Sequence, residues 1–294
     1  MKKKIVILII LLSVSSIVFG VFFSKNTTPD EIDYWVYKHL NYKELHHYST
    51  GSSQTIAIID SGISSNIKLD AEKAFSLTSE DIYDYNGHGT MMYSIIKGTE
   101  DDILGISPDV DILSIKILDK AESTRPELIY DAIEMAIDKN ATVINLSVGS
   151  YKNNEDIAGL IKEAHSKNIT VTASSGDFSN FEMMFPANMR EVISIGALGE
   201  NLQPLELTSG PDLTTINAPG ENILVLDAND EIFYSSGTSQ ATALISGYIA
   251  LLRDYALKNN IFLSNEDIGY YLSLIKEGNM QYSDVFNELS MTEA

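Results

Sequence analysis

Three polar side chains in this chain have the types needed to make a hydroxyl nucleophilic: Asp60, His88 and Ser239. A serine hydroxyl attacks a carbonyl carbon only when a base takes its proton, and an imidazole base needs a carboxylate to hold its tautomer. Asp60 closes the apolar run Thr55-Ile-Ala-Ile-Ile59 and is followed by Ser61-Gly62. His88 lies between glycines in Asn86-Gly-His-Gly-Thr90, where backbone can pass close to another group. Ser239, within Ser235–Ala243, opens a long apolar segment. Each also has an ordinary reading: Asp60 as a turn-former or cap, His88 as a structural histidine, Ser239 as a helix N-cap. A hydroxyl at a helix N-terminus, however, gains N–H donors and the positive end of the macrodipole, which stabilise an oxyanion forming beside it.

The elements that must position these residues follow from hydrophobic periodicity. Thr55–Ile59, Asp111–Leu118, Thr142–Val148, Ile169–Ala173 and Glu191–Ala197 read as strands. Glu127–Lys139 carries a helical stripe at Leu128, Ile129, Ala132, Ile133, Ala136 and Ile137, and Glu155–Lys167 is a second helix. Residues 202–233 read as shorter strands with turns at Ser209-Gly-Pro211 and Ala218-Pro-Gly220. Gln240–Leu257 is apolar nearly all round and predicts a buried helix. Asn265–Lys276 predicts a last helix, with Ser264 or Asn265 as its N-cap. Apolar strands alternating with helices imply an α/β fold in three layers, a mostly parallel central sheet with helices on both faces. In such sheets ligands bind beyond the carboxyl ends of the strands, which is where Asp60 falls.

Composition narrows the function classes. Lys plus Arg total 20 against 41 Asp plus Glu, a formal charge of −21. A surface this acidic repels phosphates, so nucleic acid is excluded as a partner, while basic peptides are attracted. There is no cysteine, which removes a thiol nucleophile and a disulfide framework. Lys2, Lys3 and Lys4 precede an apolar run from Ile5 to Phe23, the pattern of an export signal. At about 19 residues the run is also long enough to cross a bilayer uncut, leaving the rest of the chain outside. Residues 1–24 are therefore read as a signal peptide or an N-terminal membrane anchor, 25–48 as a short lead-in segment, and 49–294 as one catalytic domain.

Three segments resemble the active-site signatures of the subtilase family: Ile58-Ile-Asp-Ser-Gly62, Asn86-Gly-His-Gly-Thr90 and Ser236-Gly-Thr-Ser-Gln-Ala241. The chain order Asp, His, Ser is that of subtilisin. Gly105-Ile-Ser-Pro108, Ile112–Leu118, Val143–Gly149, Phe185-Pro186, Val192–Gly196 and Asn217-Ala-Pro-Gly220 extend the resemblance over about residues 32–275. It implies the subtilisin-like fold and a serine endopeptidase acting through an acyl-enzyme. On that resemblance Ser239 attacks, His88 moves the proton and Asp60 orients His88. Ser147, Val148 and Gly149 would bind the substrate backbone as an added strand.

The chain also departs from the pattern. Val171–Asp177 aligns with the segment that ends in the oxyanion-hole asparagine, and Asp177 stands at that position. An ionised carboxylate cannot donate to an oxyanion. The residues leave open that Asp177 donates as a protonated acid, that a weakened hole suffices for a specific substrate, that Asn180 moves in, or that activity is lost. Met91 replaces a second histidine common in relatives, and Ala243 replaces a common proline. The length before residue 50 does not accommodate the family's usual folding pro-domain. The chemistry requires no cofactor. The family's structural calcium has no ligand loop of convincing spacing here, so no residues are assigned to it.

The expected function is thus an extracellular or membrane-tethered endopeptidase with a peptide or protein substrate, dedicated to processing, for example, an exported peptide leader. Asp177 and Glu182 would favour basic residues before the cut. The alternative is a weak or inactive subtilase fold serving as a peptide-binding or regulatory module.

Overall fold

Runs rich in Ile, Val and Ala, with single polar residues such as Asn145, Thr172 and Ser194, form the central strands, and nearly every one of their side chains is buried, as a sheet covered on both faces requires. The structure, a computed structural model, describes residues 34–100, 102–121 and 123–291. The expected export segment therefore lies outside the described residues. In chain order the elements are α1 (Trp35–Leu40), α2 (Tyr42–Tyr48), β1 (Thr55–Asp60), β2 (Ala74–Ser76), α3 (His88–Lys97), β3 (Asp111–Lys116), α4 (Pro126–Asp138), β4 (Val143–Leu146), α5 (Glu155–Ser166) and β5 (Thr170–Ser174). They continue with β6 (Val192–Leu198), β7 (Ile216–Pro219), β8 (Ile223–Leu226), β9 (Ile232–Ser235), α6 (Thr238–Lys258), α7 (Asn265–Lys276) and α8 (Asp284–Met291).

Seven strands form one sheet in the order β2-β3-β1-β4-β5-β6-β7, with every pairing parallel. β8 and β9 form a separate antiparallel pair. The two faces of β1 show how the layers are built. Ile56 and Ile58 point into the core shared with α3 and α6, and Ala57 and Ile59 into the core shared with α4 and α5. This is the three-layer α/β arrangement expected from the sequence.

Two differences matter for the site. β4 ends at Leu146, two residues short of expectation, because Ser147–Gly149 leave the ladder and Ser150 pairs instead with Phe185. The packed body also begins before residue 49. α1 and α2 bury Val36, Leu40, Tyr42 and Leu45 in the core that holds α3 and α6. No described helix is long and apolar enough to cross a membrane.

Candidate active site

β1, β4 and β5 are consecutive neighbours in the sheet, so their carboxyl ends lie side by side. Those ends carry Asp60, Ser147–Gly149 and, three residues past β5, Asp177. Parallel order thus gathers at one edge residues that are far apart in sequence.

Asp60 is fully buried at 0% exposure. Its carboxylate accepts from the Ser61 N–H at 2.8 Å, and both its oxygens lie within 2.8 and 2.9 Å of His88 Nδ1. That contact leaves Nδ1 as the protonated nitrogen whenever the ring is neutral, which turns Nε2 into the basic one. His88 is held at the first turn of α3 by its surroundings. Its N–H donates to Asn86 Oδ1 at 2.8 Å, and the Gly89 N–H donates to Ser61 Oγ at 2.9 Å. Gly89 is required there, because a Cβ would sit 2.1 Å from the Gly62 carbonyl oxygen. Asp84 builds the turn before His88, accepting from the N–H groups of Asn86, Gly87 and Thr90 and from the Thr90 hydroxyl at 2.6 Å. The sequence reading missed Asp84. The spacing Asp84-Tyr-Asn-Gly87 was its signal, since an aspartate ahead of Asn-Gly commonly closes a turn onto its own backbone.

Ser239 lies in the first turn of α6 and is 9% exposed. N–H groups in a first turn have no partner within the helix, so the Ser239 N–H and the positive helix end lie at the same turn as its hydroxyl. α6 packs on α3 across this face of the sheet. Its N-cap is Gly237, which offers no side-chain cap.

Asp177 supplies the missing cap from another element. Its Oδ1 accepts from the Thr238 N–H at 2.9 Å, and its Oδ2 lies beside Gly237. The residue as a whole is exposed, while its carboxyl lies against the first turn of α6. Burial of that carboxyl pushes its pKa above the ordinary carboxylate value, against the opposing pull of the Thr238 hydrogen bonds and of the positive charge on His88. The charge of His88 thus acts on Asp177, and Asp177 touches the residue preceding Ser239. Asp60 bonds His88, so the structure brings Asp60, His88, Asp177 and the N-terminus of α6 to one place. Asn180 and Glu182 are exposed on the loop that follows.

Ser147, Val148 and Gly149 are all buried at the end of β4. A cavity of about 800 Å³ opens beside them, lined by Val148, Leu128, Ile129, Ile157 and Phe185 among others. Among the described residues, no group of three or more His, Cys, Asp or Glu side chains is placed to hold a metal ion.

The subtilase family model matches residues 51–277. The thermostable alkaline protease of Halalkalibacterium halodurans is 28% identical over 225 residues, covering 74% of this chain and 62% of that protein. The intracellular serine protease of Paenibacillus polymyxa is 32% identical over 59% of this chain and 55% of its own length. The minor extracellular protease Epr of Bacillus subtilis is 29% identical over 77% of this chain and 36% of its own. The matched region is thus less than two thirds of the length of each of these relatives. The solved structure of the prenylagaramide maturation protease PagA superposes with a TM-score of 0.73 at 23% identity, covering 84% of this chain and 98% of that one. With the family pattern running through the sheet, the helix bearing His88 and the helix bearing Ser239, the chain belongs to the subtilase family.

Proposed function

We propose that this protein is a serine endopeptidase that cleaves peptide bonds through an acyl-enzyme on Ser239. The observation that carries the reading is the buried Asp60–His88 contact, with both carboxylate oxygens on Nδ1, on a helix that packs against α6, which opens with Thr238 and Ser239. In the reaction Ser239 Oγ bonds to the scissile carbonyl carbon while its proton passes to His88 Nε2. The oxyanion is met by the Ser239 N–H and by the Asp177 position. Collapse breaks the C–N bond, and the leaving amine takes the proton from His88. Water then repeats the sequence and frees the acid.

Asp60 never gives up its negative charge in this scheme. It holds the ring and stabilises the imidazolium formed during attack. Asp177 works as a donor only in its protonated form, which its raised pKa favours. The resulting dependence on a second proton fits slow, dedicated processing better than scavenging. A maturation protease is known on this fold, the neighbour PagA. We place the enzyme outside the cell, secreted or tethered, from Lys2–Lys4 and the apolar run Ile5–Phe23. The relatives include both extracellular and intracellular proteases.

The test is covalent trapping. Wild type incubated with an activated acyl ester carries one acyl group on Ser239, and Ser239→Ala and His88→Ala carry none. A wild type that acylates no faster than Ser239→Ala overturns the reading and leaves a peptide-binding fold.

A further inference from the structure

The ends of β4 and β5 each carry a glycine facing the gap between them, Gly149 and Gly176. Two missing side chains across one gap should leave a slot. The structure shows it filled by Met184. A Cβ on Gly149 would lie 3.2 Å from Met184 Cβ and 3.4 Å from its Cε. A Cβ on Gly176 would lie 2.7 Å from Met184 Sδ and 3.0 Å from its Cγ. The thioether therefore spans the gap from one strand end to the other, and Met184 is only 6% exposed.

Its backbone is fixed to both walls. The Met184 N–H donates to the Ser175 carbonyl at 3.0 Å. Its neighbour Phe185 exchanges two hydrogen bonds with Ser150, at 2.8 and 2.9 Å. Met184 is thus the floor of the gap and not a side chain passing over it.

The gap has a place in the chemistry, given the protease reading above, on which this inference rests. An attacked carbonyl must lie at Ser239 with its oxygen toward Asp177, the residue after Gly176. The backbone leading to it runs along Ser147–Gly149. The residue that owns the carbonyl therefore sits over the gap, with its side chain directed at Met184. We infer that Met184 restricts the residue before the scissile bond to glycine, alanine or serine. A basic side chain there, the expectation from Asp177 and Glu182, has no slot to occupy, and Glu182 itself is exposed.

The experiment uses two serine-reactive peptidyl phosphonates identical except for alanine or phenylalanine at the residue bearing phosphorus. Wild type is expected to label with the alanyl probe about 100-fold faster than with the phenylalanyl one. Met184→Gly, and Met184→Ala should the glycine variant melt early, raises the phenylalanyl rate about tenfold or more and brings the ratio toward unity. Comparing two probes within each variant makes the ratio independent of the folded fraction. Equal rates in wild type, or an unchanged ratio in a folded Met184→Ala, overturn the inference while leaving the protease reading intact. No labelling of wild type by either probe overturns both.

Discussion

At the scale of single residues, Asp177 is the departure with the largest consequence. It caps α6 with one oxygen, and its other oxygen lies beside Gly237, two residues before Ser239. As an acid it donates; as a carboxylate it repels. Burial holds its pKa above the ordinary carboxylate value, so the donating form persists to higher pH than usual and is lost as pH rises through the shifted pKa. His88 must be neutral to act, which requires the opposite direction of pH. The wild type should therefore show a narrow optimum, lying on the acidic side of that of Asp177→Asn. At high pH Asp177→Asn should exceed wild type in kcat by up to about 10²–10³, the range for losing one such donor in subtilisin. Parallel pH–rate profiles for the two proteins would contradict this assignment.

The residues that could do chemistry were legible because each sits beside a strand end or a glycine, where a core residue has no reason to be polar. Met184 was not legible. Its role depends on two glycines from other strands, Gly149 and Gly176, and no local pattern in Phe181–Pro186 encodes which gap it enters.

Among the elements, the long ones read well. α7 spans the expected Asn265–Lys276, and Ser264 forms a reciprocal capping box with Asp267, a signal written in four residues. α6 was legible as a helix apolar all round, and it is buried along most of its length. α1 and α2 were not, because six and seven residues rich in Tyr and His carry too few turns to show a period. The small element β2 and the terminal α8 escaped for related reasons: three residues of strand, and an eight-residue helix.

α6 also carries an element-scale prediction. Asp254, fully buried on α6, accepts from Ser49 Oγ at 2.6 Å, the Ser53 N–H at 2.9 Å and Lys258 Nζ at 2.7 Å. It ties the segment entering β1 to the helix that begins with Thr238 and Ser239. Burial raises its pKa, but these hydrogen bonds outweigh burial and hold it below the ordinary carboxylate value. Its stabilising contribution is thus complete above the unfolded pKa and lost as pH falls through the lower folded value. Asp254→Ala should cost about 1–3 kcal/mol, chiefly by leaving the buried Ser49 hydroxyl without its acceptor. The loss should be seen in denaturant melts at neutral pH and should shrink under strong acid. A cost that is constant from neutral to strongly acidic pH would contradict the account.

For the whole molecule, the described packed body already includes α1 and α2, ahead of the family match beginning at residue 51. Val36, Leu40, Tyr42 and Leu45 are each at most 3% exposed. At about 1.5–3 kcal/mol per buried apolar side chain, their sum rivals the total stability of a typical domain, about 5–15 kcal/mol. A chain starting at residue 34 should melt cooperatively and retain peptidase turnover. One starting at residue 49 should be unfolded or aggregate at 37 °C. Equal melting of the two would show that α1 and α2 are dispensable.

The central claim is that Asp60, His88 and Ser239 form one catalytic unit, and the most direct measurement is the mass of the protein during its first turnover. Wild type mixed with acetyl-alanyl p-nitrophenyl ester and quenched should show a burst of one equivalent of nitrophenol and one acyl mass. That mass should map to the peptide containing Ser239 and be absent from Ser239→Ala and His88→Ala. A wild type that stays unmodified, or that carries the acyl group elsewhere, contradicts the account.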